Sequence, residues 1–353
     1  MKEMKASLSN DQGISIGWLT VNRNCNNRCE WCYAMGTEFK GNSMSLTTAE
    51  NLINFYSELN VKKVVLIGGE PTVYCHLIKV VKMLFKKEIE PVLISNGRKF
   101  SDPDYAKKIV DSGLSNINFS EKAANREQYK KLTKRDGYEE VLKGFQNLRN
   151  LGVDVLFSTT IVSELIPNLK ELFQNLFDAG VSRFAIDFGG PVISKSLVTG
   201  DGIPDPFESV KALTTIHDLF KDREFMYNFH VSIPLCLIPE GVKKILIKEN
   251  RITTCCHLTS SSGLVFGPQG QVIPCNHLFD FPLGKFGEDF NNIKEFEKFW
   301  KSKKVQNFRQ ACFRYPTERC MSCKDWGICG GGCPIRWLLW EPSDFIKEKG
   351  EKK

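Results

Sequence analysis

The sequence predicts an α/β protein built on a parallel sheet, with a small cysteine-rich region behind it. Two observations carry that expectation: six short β-branched runs alternate with amphipathic stretches between Ile14 and Phe188, and nine of the thirteen cysteines lie after residue 230. A third bounds it. With 353 residues, 42% hydrophobic and 25% charged, the chain has room for about two ordinary domains and lies outside the disordered and collagen-like compositions.

In order, the predicted strands are Ile14–Val21, Lys63–Ile67, Pro91–Ser95, Asn116–Phe119, Val153–Ile161 and Arg183–Phe188. Between them lie the helical patterns Leu46–Leu59, Cys75–Phe85, Asp102–Asp111, Tyr138–Leu151 and Asn168–Ala179. Thr47 and Thr48 are candidate N-caps of the first helix, and Gly113, Gly152 and Gly180 sit where helix-ending glycines belong. Such repeats imply right-handed crossovers and a sheet either doubly wound or curled into a partial barrel, with ligands bound beyond the carboxyl ends of the strands. Gly189–Pro206 reads as a loop, and Phe207–Phe220 and Pro239–Lys248 as helices. From Arg251 helical periodicity gives way to cysteines, glycines and a hairpin pattern, Leu264–Phe266 with Gln271–Ile273.

Composition excludes several classes of function. The apolar runs fall far short of the roughly 20 residues of a bilayer span, and Met1 to Gln12 lacks a signal peptide's apolar stretch, so a cytoplasmic protein without a membrane partner is expected. The formal charge of +7 is spread over many helices, and the tail lysines Lys347, Lys349, Lys352 and Lys353 read as solvated surface, so no nucleic-acid partner is expected. An odd cysteine count without an export signal argues against a disulfide framework and for metal or redox chemistry.

Directly after the first strand comes Cys25-x3-Cys29-x2-Cys32, with Trp31 before the last cysteine. Three thiolates on one loop can hold three corners of a cubic iron–sulfur cluster and leave one iron open, which catalysis requires and a structural site avoids. The second strand runs into Gly68-Gly69-Glu70-Pro71, where glycines permit close backbone approach and Glu70 offers a carboxylate to a ligand's ammonium. Ser95-Asn96-Gly97 closes the third strand and Ser120 lies at the end of the fourth. Downstream stand Cys255 and Cys256, then Gly270-x4-Cys275, then Cys320-x2-Cys323-x5-Cys329-x3-Cys333-Pro334. The last four cysteines alone match a zinc knuckle as well.

Taken together these motifs resemble the radical S-adenosylmethionine (SAM) superfamily, and the C-terminal cysteines resemble the SPASM domain of its peptide-modifying maturases. The resemblance implies a partial (β/α)6 TIM-like barrel with a small C-terminal iron–sulfur domain. It implies a catalytic [4Fe–4S] cluster on Cys25, Cys29 and Cys32, and SAM bound by Trp31, Gly68, Gly69, Glu70, Pro71, Asn96 and Ser120, with Arg126 or Arg135 on its carboxylate. It further implies one or two auxiliary [4Fe–4S] clusters: Cys256, Cys275 and Cys333, with or without Cys255, on the nearer, and Cys320, Cys323 and Cys329 on the outer. The family's last cysteine has no counterpart after Cys333, which leaves the outer cluster Cys312, a carboxylate such as Asp325, Glu341 or Asp344, or an open iron. Asn276 and His277 follow Cys275 where sulfatase-maturating relatives place an aspartate base; His277 is the candidate proton acceptor, and Asp187 a residue facing substrate. Cys75 and Cys236 read as buried bystanders, and His217 and His230 as packing residues.

The expected organisation is an N-terminal extension (1–13), the barrel core (14–200), a bridging helical region (201–250), the auxiliary-cluster domain (251–340) and a charged tail (341–353). The expected activity is reductive cleavage of SAM to a 5′-deoxyadenosyl radical that takes hydrogen from a carbon of a ribosomally made peptide, giving a crosslink, an oxidation or an epimer. A small-molecule dehydrogenation or rearrangement is the alternative. The expected partners are the peptide, a flavodoxin- or ferredoxin-type reductant and, since 24 residues precede Cys25, any leader-recognition protein as a separate chain.

Overall fold

A computed structural model describes residues 13–34, 37, 41–254 and 256–347. The first part of the chain lays down β1 (Ile16–Asn22), α1 (Leu46–Glu58), β2 (Lys63–Gly68), α2 (Leu77–Lys86), β3 (Glu90–Ser95), α3 (Pro103–Val110) and β4 (Asn116–Glu121). There follow α4 (Arg126–Thr133), α5 (Tyr138–Asn150), β5 (Leu156–Ile161), α6 (Leu169–Asp178) and β6 (Arg183–Phe188). A two-residue ladder, β7 (Val192–Ile193) with β8 (Val198–Thr199), leads to α7 (Pro206–Phe220), β9 (Met226–His230), α8 (Glu240–Lys248) and β10 (Ile252–Thr253). The C-terminal part contains α9 (His257–Ser260), β11 (Gly263–Phe266), β12 (Gln271–Ile273), β13 (Gly284–Lys285), α10 (Ile293–Trp300), α11 (Lys303–Cys312) and α12 (Trp326–Cys329).

The six expected strands form, in sequence order and all parallel, the centre of an 11-stranded sheet ordered β10-β9-β6-β5-β4-β3-β2-β1-β11-β12-β13. This is the partial-barrel α/β architecture. The parallel series does not stop at six: β9 and β10 extend it beyond β6, and β11 pairs in parallel with the far edge of β1. The expected hairpin forms as β11 and β12.

Alternation within the strands separates two environments. Val64, Leu66, Leu93, Ile117, Phe119, Phe157 and Phe184 are buried against the helices. Asn118, Ser120, Ser158, Thr160 and Asp187, out of phase with them, turn to the inner cavity. Tyr56 of α1 is fully buried, and its hydroxyl meets Trp18 O at 3.0 Å and Leu264 O at 2.9 Å, which fastens the β1–β11 seam. On the other flank Phe173, Phe184 and Phe220 pack edge to face around α6, α7 and β6, with centroids 4.9–5.9 Å apart.

Several local expectations are corrected. Ser45 caps α1 in place of Thr47 or Thr48, its Oγ accepting from Thr48 N at 3.0 Å. The fifth strand starts at Leu156 rather than Val153 because Gly152, at φ +76°, and the turn after it carry the chain out of α5. The helices α4, α10 and α11 were not expected. Each has a polar cap, Asn125, Asn292 and Ser302, whose side chain accepts from the backbone three residues on.

Candidate functional site

The carboxyl ends of the parallel strands surround a cavity of about 830 Å³. Cys25, Cys29 and Cys32 line it on the loop after β1, together with Trp31, Gly68, Gly69, Glu70, Asn96, Ser120 and His277. The structure thus brings together all but one of the expected SAM-binding positions around the triplet; the remaining one, Pro71, is buried and opens the turn behind Glu70.

The glycines have a definite steric reason. A Cβ on Gly68 would stand 2.5 Å from Asn22 O, and one on Gly69 would stand 2.3 Å from Asn24 O. The stem of the cysteine loop therefore lies directly on this turn, held by Gly69 N to Asn22 O at 2.9 Å and Glu70 N to Asn24 O at 2.7 Å. Glu70 is almost fully buried, and its carboxylate is largely engaged. Oε1 accepts from Thr72 N, Thr72 Oγ1 and Ser95 Oγ at 2.7–3.0 Å, and Oε2 accepts from Asn96 N at 2.7 Å. Its first task is to join the ends of β2 and β3; one acceptor position on Oε2 remains for a ligand's ammonium.

From β3 the site reaches back to the cysteines. Asn96 Nδ2 donates to Asn26 Oδ1 at 2.6 Å, and Arg98 Nη1 donates to Asn26 O and Asn27 Oδ1, both at 2.9 Å. Asn27 donates in turn to the Tyr129 hydroxyl at 2.9 Å. Arg98 escaped the sequence reading, although it follows Ser95-Asn96-Gly97 at a strand end already singled out.

The cations differ from those expected. Arg126 lies outside the cavity, paired with Asp136 at 2.8 Å on the surface, and Arg135 donates to its neighbour's carbonyl. Lys122 is the lysine among the cations that line the cavity, beside Arg23, Arg28, Arg183 and Arg251; it is bonded to Ser120 Oγ, and its charge partly opposes the rise that burial imposes on the Cys25 and Cys29 thiols. Applying the strand-end rule two residues past Ser120 would have found it. Arg23 is buried over the Phe279 ring at 3.9 Å; its Nε and Nη1 have no hydrogen-bond partner among the described residues.

The donor set has the chemistry of a cluster site. Burial, reinforced by the neighbouring thiols, pushes Cys25 up to about 11 and Cys29 up to about 12. Thiols so disposed become thiolates only against a bound cation. Among the described residues no three His, Cys, Asp or Glu side chains gather as ligands of a single ion. Asn118 Oδ1, a buried acceptor on the cavity-lining face of β4, has no partner among the described residues and suits a ligand's donor.

Across the cavity His277 sits on Gly190 and against Tyr33, ring centroids 5.3 Å apart. Its Nδ1 meets Pro191 O at 2.8 Å, which makes Nδ1 the protonated nitrogen and leaves Nε2 an acceptor. Burial lowers its pKa and keeps the ring neutral. Asp187 does face the cavity, but paired: its Oδ1 meets His230 Nδ1 at 2.9 Å, so His230 is a cavity residue and not a packing one. His217 is buried beside Tyr227.

In the C-terminal region two sets of thiols stand apart. Cys275 and Cys333 are raised, first by burial, to about 12 and about 11, and each feels Cys256. Cys320, Cys323 and Cys329 form the second set. Cys255 lies outside the described residues, as do Lys349, Lys352 and Lys353 of the tail and residues 1–12 of the N-terminal extension. Cys75 and Cys236 are exposed rather than buried. Asp325 is held by Lys243 at 3.1 Å, and Glu341 and Asp344 are exposed.

Residues 19–176 match the model of the radical SAM superfamily, and residues 255–324 match that of an iron–sulfur cluster-binding domain, SPASM. The chain is 32% identical over 172 residues to the GTP 3′,8-cyclase of Petrotoga mobilis, which covers 46% of this chain and 53% of the relative. It spans about half the length of the curated relatives it matches over the barrel. The AdoMet-dependent heme synthase of Oleidesulfovibrio alaskensis is 23% identical over 94% of this chain and 85% of its own. Among solved structures, anSMEcpe with bound AdoMet and the Cp18Cys peptide superposes with TM-score 0.70 at 17% identity, over 90% of this chain and 88% of the other. Streptococcus suis SuiB bound to precursor peptide SuiA gives 0.66 at 15%, over 96% and 76%. These structures share the fold. No helix among the described residues is long and apolar enough to cross a membrane.

Proposed function

We propose that this chain, which belongs to the radical SAM superfamily and carries a SPASM region with auxiliary iron–sulfur clusters, modifies a peptide at an unactivated carbon. Cys25, Cys29 and Cys32 would hold a [4Fe–4S] cluster, which together with SAM would supply one-electron cleavage of the sulfonium and a 5′-deoxyadenosyl radical to take the substrate hydrogen. The protein's own residues bind, orient and exclude water. Trp31 flanks the nucleoside, the backbone of Gly68 to Glu70 and the free Oε2 position take the amino group, Lys122 with Ser120 takes the carboxylate, and Asn118 accepts from a hydroxyl. His277 Nε2 receives the proton that leaves when a substrate radical becomes a new bond. Cys256, Cys275 and Cys333, with Cys320, Cys323 and Cys329, would hold the auxiliary clusters, which would accept the electron released as that bond forms, and a flavodoxin- or ferredoxin-type protein would supply the first electron.

The observation that carries this reading is the single cavity of about 830 Å³ that joins the triplet to His277 beside the auxiliary region. It exceeds what a nucleoside alone fills and falls within the range of ligand sites. Solved structures of this architecture with bound peptides support the peptide class. A second reading, dehydrogenation or rearrangement of a small molecule, is favoured by the full-length likeness to a heme synthase.

Anaerobic reconstitution followed by SAM and dithionite should release 5′-deoxyadenosine, and the Cys29→Ala protein should release none. Precursor-type peptides should accelerate that release and carry the modification by mass spectrometry. Acceleration by nucleotides or porphyrin precursors in their place would select the second reading. No 5′-deoxyadenosine from fully loaded protein would overturn both.

A further inference from the structure

Two thiols outside the recognised spacing stand beside the two auxiliary sets. The turn containing Cys236 lies along α12 and the chain after it. Leu235 N donates to Cys329 Sγ at 3.2 Å, and Cys333 N donates to Ser232 O at 2.8 Å. A Cβ on Gly332 would stand 2.9 Å from Ser232 O, so the two backbones are in contact. The next helix, α8, is fastened to the same loop by the Lys243–Asp325 ion pair, and Thr254 hydrogen-bonds to Ile328 O. This clamp carries Cys236 into the set of Cys320, Cys323 and Cys329. Loss of water raises the pKa of Cys236 to about 11, and Cys329, Cys320 and Cys323 add to that rise while Arg319 opposes it. Solvent reaches the other side of Cys236.

Cys312 ends α11, which packs on α9, and α9 begins directly after Cys256. The thiols that Cys312 meets are Cys256 and Cys333, and Cys275 in turn meets Cys312. Neither placement follows from the sequence, where Cys312 stands eight residues before Cys320 and suggests the opposite allegiance.

We propose that Cys236 is the fourth thiolate of the outer auxiliary cluster, with Cys320, Cys323 and Cys329, and that Cys312 is the fourth of the nearer one, with Cys256, Cys275 and Cys333. The assignment rests on the auxiliary-cluster reading of this region. Each thiol releases its proton on binding iron. Every iron of both cubes then has a protein thiolate, so neither cube has a vacant position for substrate, and both are confined to holding the fold and passing single electrons. The open iron belongs to the triplet alone. Carboxylate ligation of the outer cluster becomes unnecessary, which agrees with Asp325 being held by Lys243.

The test is separate from the radical chemistry. A Cys25→Ala/Cys29→Ala/Cys32→Ala protein, reconstituted without oxygen, should hold about eight irons per chain, two cubes of four. In that protein iodoacetamide and peptide mass mapping should label Cys75, which is exposed and outside both sets, at the same rate with or without iron. Cys236 and Cys312 should label at least ~10-fold more slowly in the loaded form than after a chelator, since ligated thiolates are withdrawn from alkylation. A Cys236→Ser substitution should alter the electron paramagnetic resonance of one reduced cluster and leave the other unchanged. Equal labelling of Cys236 in loaded and stripped protein overturns the outer assignment, and equal labelling of Cys312 overturns the nearer one. A triple variant holding about four irons or fewer overturns the auxiliary-cluster reading itself, while 5′-deoxyadenosine release by the parent protein tests the triplet independently.

Discussion

Replacing Arg98 with methionine removes the cation that ties the cysteine loop to the end of β3 and keeps a side chain of similar reach. Its Nη1 bonds to Asn26 O and Asn27 Oδ1 are both 2.9 Å, and its Nε lies 2.5 Å from Glu140. The Glu140 side chain is 44% exposed, so that pair counts for about 0–1 kcal/mol. The two bonds to Asn26 and Asn27 matter more, because each comes from a charged donor and is worth about 1.5 kcal/mol or more. Asn27 is only 3% exposed, so its acceptor gains no water in exchange. The sum is about 3 kcal/mol, on the order of a hundredfold in the ratio of ordered to disordered loop. The assay is the rate at which a chelator removes the cluster whose electron paramagnetic resonance responds to SAM. Arg98→Met should lose that signal at least ~10-fold faster than the parent, part of the loop's order surviving through Asn96. Arg126→Met, which removes an equally well-formed ion pair from open surface, should match the parent. A parent-like rate for Arg98→Met would refute the reasoning.

The same logic extends to three other positions. Lys122→Met should weaken SAM binding by about 10- to 100-fold in equilibrium dialysis, the worth of one charged hydrogen bond, whereas Arg126→Met and Arg135→Met leave it unchanged; an unaltered affinity for Lys122→Met would remove it from the carboxylate site. The Asp187 bond raises the pKa of His230, so the pair stabilises the fold fully below the unfolded value near 6.5 and ceases to do so as pH rises through the folded value. The melting temperature of Asp187→Asn should therefore fall below the parent's at pH 6 and approach it by pH 9, and a gap that widened with pH would reverse the sign of the coupling. Phe220→Ala, deleting a fully buried ring from the α6–α7–β6 cluster, should cost about 3–5 kcal/mol in a urea titration monitored on the loaded protein.

The barrel was legible because each strand carries a β-branched run and each long helix a 3.6-residue stripe, both local signals. The helices α4, α10 and α11 are amphipathic too, but each offers only two to three turns of stripe, and a single cap residue marks where each one starts. The triplet, the glycine turn and the strand-end polar residues were legible because the chemistry is concentrated in contiguous motifs. Which cation turns inward was not: Arg126 and Lys122 are four positions apart, and only the run of β4 into α4 decides that one lines the cavity and the other faces water. The allegiance of Cys236 and Cys312 was equally hidden, because it depends on chain segments about 90 and 55 residues apart meeting through Leu235 with Cys329 and α11 with α9.

The parallel pairing of β11 with β1 bears on how such a gene can be divided. A chain stopped before Gly263 would leave Ile16 to Leu19 with one row of backbone donors and acceptors unmatched, and would strip the Tyr56 hydroxyl of its Leu264 partner. Bare apolar edges of that kind recruit one another and seed polymers. Fission or recombination at the end of the repeats would thus yield an insoluble half, and the two portions are constrained to be inherited, translated and folded as one piece.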